Sequence, residues 1–97
     1  MHVKDMEAVA ERLSELMKSL SHKNRLLTLC QLVDGEKAVG ELALALELSQ
    51  PAMSQQLALL RREGLVSTRR VGQTVYYALT DGELRKLLKF LYKTYCV

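Results

Sequence analysis

A mostly α-helical domain with one small β-hairpin is the fold class predicted for this chain, and three observations predict it. Apolar residues recur at three- and four-residue spacing in several separate segments, the period of one face of a helix. Hydrophobic residues make up 48% of the 97 residues while aromatics make up 5%, so the core is to be built mainly from Leu, Ala and Val on helices. One stretch, residues 65–79, places two β-prone runs on either side of a glycine-containing link. A lone domain of this size buries only somewhat more than about 60% of its unfolded surface, which makes a dimer a reasonable expectation.

The elements follow in order. Met6, Val9, Ala10, Leu13, Leu16, Met17 and Leu20 line one face of a first helix over roughly 5–20. Ser21 is the expected cap of a second helix on which Leu26, Leu29, Cys30 and Val33 share a side, so that Cys30 faces inward or nearly so. Asp34-Gly35 is expected to end it, Gly35 supplying the left-handed residue after the last turn. A short third helix over about 39–45 carries Leu42, Ala43 and Leu46, and the Leu46-Glu47-Leu48 link leads to Ser49 as the N-cap of a fourth. Pro51 fits that first turn, where its missing N–H costs nothing. The fourth helix runs to about Glu63, with Met53, Leu57 and Leu60 inward and Gln50, Ser54, Gln55 and Ala58 largely outward, until Gly64 stops it. Residues 65–70 and 74–79 form the hairpin around Val71-Gly72-Gln73. Asp81 then opens a last helix with a stripe of Leu84, Leu87, Leu88, Leu91 and Tyr95, while Arg85, Lys86, Lys89 and Lys93 mostly take its other faces. Four helices, a two-stranded wing and a closing helix make a winged helix-turn-helix over residues 1–97, with no linker, repeat or low-complexity tract.

No stretch approaches the roughly 18 consecutive apolar residues of a membrane span, so no membrane partner is expected. The acidic start, with Asp5, Glu7 and Glu11, lacks the pattern of a signal peptide, and the chain is read as cytoplasmic. Two cysteines in a reducing compartment are a poor structural staple; if they pair, the pairing reads as a signal.

The middle of the chain reads as a nucleic-acid surface. A recognition helix needs an exposed face small and polar enough to reach base edges, backed by an apolar face that seats it on its neighbour. Gln50, Gln55 and Gln56 supply amide donor-acceptor pairs of the kind that bridge adenine, and Ser49 and Ser54 suit phosphates or bases. Between residues 50 and 77, Arg61, Arg62, Arg69 and Arg70 oppose only Glu63, four charges minus one, which equals the +3 of the whole chain. Arg69, Arg70 and Gln73 flank the hairpin tip, where backbone or minor-groove contact is expected. A Gln- and Ser-rich helix face alone is often mere solvated surface; the order helix, turn, polar helix, basic hairpin is what makes double-stranded DNA the expected partner.

Over essentially its whole length the chain resembles the ArsR/SmtB family of winged-helix transcriptional repressors. The residues that carry the resemblance are Leu20-Ser21-His22-Lys23-Asn24-Arg25-Leu26, Val39-Gly40-Glu41-Leu42-Ala43, Leu48 through Leu60, Arg62-Glu63-Gly64-Leu65-Val66 and Tyr76-Tyr77-Ala78-Leu79. The resemblance implies a homodimer joined by the first and last helices that binds an imperfect inverted repeat and leaves it when an inducer arrives. Gln56 departs from the pattern, since many members carry His there.

Most members of that family sense metals, but here the third helix, Val39 to Leu46, has no cysteine and the last helix offers Asp81 and Glu83 without a histidine. No dedicated metal site and no cofactor is expected. Cys30 and Cys96, with the ending Leu91-Tyr92-Lys93-Thr94-Tyr95-Cys96, resemble the sulfide- and persulfide-responsive branch, the BigR, SqrR and HlyU type. That likeness implies that reactive sulfur species, as inducer, link the two cysteines and weaken DNA binding. Taken alone, Cys30 reads as a small core residue and Cys96 as a terminal residue without a role. A general thiol-redox or metal-responsive repressor, and an activator that displaces another DNA-bound repressor, remain alternatives. An enzyme would want a Cys-x-x-Cys pair or a nucleophile with a nearby base, and neither is readable.

Overall fold

The computed structural model describes residues 1–96. Five helices and three strands run α1 (Val3–Leu20), α2 (Lys23–Gln31), β1 (Lys37–Ala38), α3 (Val39–Leu46), α4 (Gln50–Arg62), β2 (Val66–Val71), β3 (Thr74–Leu79) and α5 (Gly82–Tyr95). The predicted fold class holds, with one addition. The two residues of β1 pair antiparallel with the middle of β3, Lys37 opposite Tyr77 and Ala38 opposite Tyr76, giving a three-stranded sheet in the order β1-β3-β2. A strand this short carries no alternation to read, so its existence depends on β3 lying beside it.

The core is the aliphatic one expected from composition. Leu29 and Leu32 of the α2 region, Leu42 of α3, and Met53, Leu57 and Leu60 of α4 are completely buried, and Val66, Leu79, Leu84 and Leu88 close over them. Each of these burials removes apolar surface from water at about 25 cal/mol per Å².

Helix ends show how local chemistry shapes the unit. Ser49 Oγ accepts from the Ala52 N–H at 3.2 Å and Asp81 Oδ1 from the Leu84 N–H at 2.7 Å, the two caps expected from sequence. At the end of α4, Leu65 N–H bonds Leu60 O and Gly64 N–H bonds Arg61 O, with Gly64 at φ 78°, a Schellman closure. α3 closes in the same way, Leu48 N–H to Ala43 O and Glu47 N–H to Leu44 O, but the left-handed residue is Glu47 at φ 56°.

Three expectations are corrected. Ser21 does not cap α2: its Oγ donates to Lys18 O at 2.6 Å and its backbone N–H bonds the same carbonyl, so it closes α1. His22 holds the N-cap position of α2 without a side-chain bond. Gly35 does not end α2 either; the helix stops at Gln31 and passes through a turn in which Gly35 N–H bonds Leu32 O. The hairpin link is also tighter than the three residues expected, because Val71 already pairs with Thr74 across Gly72-Gln73, Gly72 taking φ 61°.

Candidate nucleic-acid interface and thiol pair

α4 is seated by the complete burial of Met53, Leu57 and Leu60, which leaves Ser49, Gln50, Pro51, Ser54, Gln55, Ala58, Arg61 and Arg62 exposed. Ser49 spends one oxygen lone pair on the cap and keeps its hydroxyl proton to donate outward. Gln50 leans on the start of α3, where a Cβ at Gly40 would stand 3.6 Å from its Nε2. Gln55 and Ser54 stand free on the outer face. Gln56 differs from them in being half-buried with its Oε1 buried and without a partner; both Gln55 and Gln56 border a cavity of about 580 Å³ between α2 and α4 that Arg25 and Arg62 also line.

In the wing, adjacent strand residues point to opposite faces, so Arg69 and Arg70 diverge. Arg70 is exposed and has no ion-pair partner among the described residues, as is true of Arg61 and Arg62. Arg69 is engaged. Its Nε donates to Glu36 Oε2 at 3.1 Å, its Nη2 donates to Glu36 Oε1, and its guanidinium lies 5.3 Å from the centroid of the Tyr76 ring. The bond to Arg69 holds the Glu36 carboxyl below the usual carboxylate range, and Glu36 in turn raises the Arg69 pKa. Gln73 sits in the two-residue turn at the tip, exposed. Glu63, counted above against the arginines, is turned away from them: it accepts from Arg25 Nη2 and from Ser19 Oγ, tying α1, α2 and the end of α4 together. Glu36, Tyr76 and Arg25 were not legible as participants, because each meets its partner through pairing of distant segments.

Both cysteines are free thiols, Cys30 half-buried on α2 and Cys96 exposed at the end of α5, where its N–H bonds Tyr92 O at 2.8 Å. Burial pushes the Cys30 thiol pKa up, and charge on Cys96 pushes it further. α5 is docked there by Arg85, whose Nε donates to Val33 O at 3.0 Å, just past the end of the Cys30 helix. Among the described residues no group of three or more His, Cys, Asp or Glu is arranged to hold a metal ion. Among the described residues no helix is long and apolar enough to cross a membrane.

Comparison with known proteins places these features in a family. Residues 22–68 match the model of the bacterial regulatory protein, arsR family. The transcriptional activator HlyU of Vibrio cholerae is 45% identical over 96 residues, covering 99% of this chain and 89% of that protein. The biofilm growth-associated repressor of Xylella fastidiosa is 44% identical over 92 residues, 95% of this chain and 81% of that protein. The crystal structure of the transcriptional repressor BigR from Xylella fastidiosa superposes with a TM-score of 0.92 at 42% identity, covering 100% of this chain and 99% of that one.

Proposed function

This chain belongs to the ArsR family of bacterial regulatory proteins and is a transcriptional regulator, and from that premise we propose that it is a homodimeric repressor released from its operator by reactive sulfur acting on Cys30 and Cys96. It is a DNA-binding protein rather than an enzyme. The observation that supports the DNA surface is the recognition helix itself, held by three fully buried side chains and presenting Ser49, Gln50, Ser54 and Gln55 outward. These four read base edges in an imperfect inverted repeat; Arg61, Arg70 and Gln73 meet the backbone, and Gln56 braces the helix from its side. The apolar stripes of α1 and α5 join the two copies, and the protein works in the cytoplasm, where its DNA lies.

The switch is supported by the placement of the two free thiols, Cys30 half-buried on α2 and Cys96 exposed at the end of α5, the helix that Arg85 ties to Val33 just past α2. Cys96, exposed, attacks first: its thiolate takes the outer sulfur of a low-molecular-weight persulfide, expelling the parent thiolate and leaving Cys96 as a persulfide. The Cys30 thiolate then attacks the inner sulfur and expels hydrosulfide, which closes a disulfide and reduces the sulfane sulfur. If Cys30 carries a sulfane sulfur as well, the same displacement closes a trisulfide. Either bridge ties α2 to α5 of one protomer, and since α5 also belongs to the dimer face, half-site spacing changes.

The test is anisotropy binding to a duplex enriched from a random pool by the reduced protein, before and after glutathione persulfide, with intact mass. The parent should lose at least about tenfold in affinity, a coupling of about 1.4 kcal/mol, as the bridge appears. Cys30→Ser and Cys96→Ser proteins that release DNA as readily as the parent would sink the switch. Activation by displacing another repressor uses the same DNA surface, and the name of one relative favours it; a bound complex that competes with a second regulator without itself repressing transcription would select that reading.

A further inference from the structure

The outer face of the wing holds a contact that the DNA reading leaves without a role. Register places Arg69 opposite Tyr76 and Tyr76 opposite Ala38, so these three side chains share one face of the sheet, and Glu36, two residues before Ala38, meets Arg69 there. We propose that Glu36 is an intramolecular competitor for the DNA backbone, its carboxylate occupying Arg69 as a phosphate does in the complex. The inference rests on the DNA-binding reading above and is independent of the thiol switch.

The chemistry of the fork supports it. A guanidinium presents two parallel N–H groups that fit carboxylate and phosphate oxygens equally well, and here both go to the two oxygens of Glu36. The guanidinium also lies over the Tyr76 ring, 5.3 Å from its centroid, a contact that favours holding Arg69 on this face of the sheet. Side-chain exposures of 58% for Arg69 and 37% for Glu36 make this a solvent-accessible pair, and such pairs are weak enough for a polyanion to displace. Arg70, next in sequence and without an acid partner, is the wing arginine free to engage from the first encounter. A pair whose only task was to fasten the β1 segment to the wing would show itself in folding stability; a competitor shows itself in binding.

The experiment is a double-mutant cycle on the full chain with E36Q, R69A and the double variant, read by anisotropy at low salt on the duplex enriched by the wild-type protein, with unfolding midpoints alongside. E36Q should bind about two- to fivefold tighter, the scale of an exposed ion pair converted to affinity. Arg69→Ala should cost about two- to fivefold more in the E36Q background than in wild type. No gain from E36Q overturns the inference, as does an equal gain with and without Arg69, which would be a general effect of removing one negative charge. Either result leaves the DNA reading standing; a wild-type protein that enriches no duplex overturns both.

Discussion

The middle of the chain and its flanks are packed to different standards. α3, α4 and the turn after α2 bury Leu42, Met53, Leu57, Leu60 and Leu32 completely, whereas the 18 residues of α1 bury only Ser19 and Leu20. At the other end Phe90, Tyr92 and Tyr95 are 61%, 63% and 80% exposed. Both flanking helices are nonetheless strongly one-sided in sequence: α5 spends Leu84 and Leu88 on the core of one copy, while Met6 and Met17 of α1 and Tyr95 of α5 stay exposed. The difference teaches where the parts belong: a single chain completes the core of the central unit, and the apolar side chains left exposed on the flanks are the surface on which the proposed dimer would form.

The comparison breaks first at the core. Leu57→Ala should cost about 2–5 kcal/mol in denaturant unfolding. Leu13→Ala on α1 should cost less than half of that and act instead on the mass seen in sedimentation, moving the protein toward monomer. Equal costs at the two positions would erase the distinction between the regions.

Arg25 joins the two regions, its side chain only 16% exposed and bonded to Glu63, which also accepts from Ser19 at the end of α1. Arg25→Ala should cost about 1–3 kcal/mol and raise hydrogen exchange around Ser19. Arg25→Lys should restore part of it, since the contact to Glu63 is a single Nη2 bond of a kind an ammonium also donates.

The thiols sharpen the same contrast, one on a core helix and one on a flank. Because only the thiolate reacts and burial raises the Cys30 pKa, the half-buried Cys30 should be alkylated more slowly than the exposed Cys96 and gain on it as the pH rises. Cys96→Ser should shift the Cys30 profile to lower pH by removing the neighbouring charge, read by mass spectrometry of the alkylated peptides. The smallest effect expected is at Glu47, where replacement by Gly relieves a left-handed residue and should stabilise by up to about 1 kcal/mol in thermal unfolding. A loss there would mean that the Glu47 side chain matters more than its backbone.

Sequence alone determined the elements whose cause is local. Ser49 and Asp81 cap their helices and Gly64 closes α4 because capping needs only residues a few positions apart. The buried row Met53, Leu57 and Leu60 was legible because helical periodicity writes it into the spacing. Tertiary structure alone decided what depends on distant segments meeting: that Lys37–Ala38 becomes a strand, that Ser21 bonds back to α1, that Gln56 turns aside from Gln55, and that Arg69 is held by Glu36 while Arg70 stands free. The reason is physical: caps and helical faces are set by bonds of three or four residues' reach, whereas the partner of a charge, a strand edge or a thiol is chosen by the packing of the whole chain.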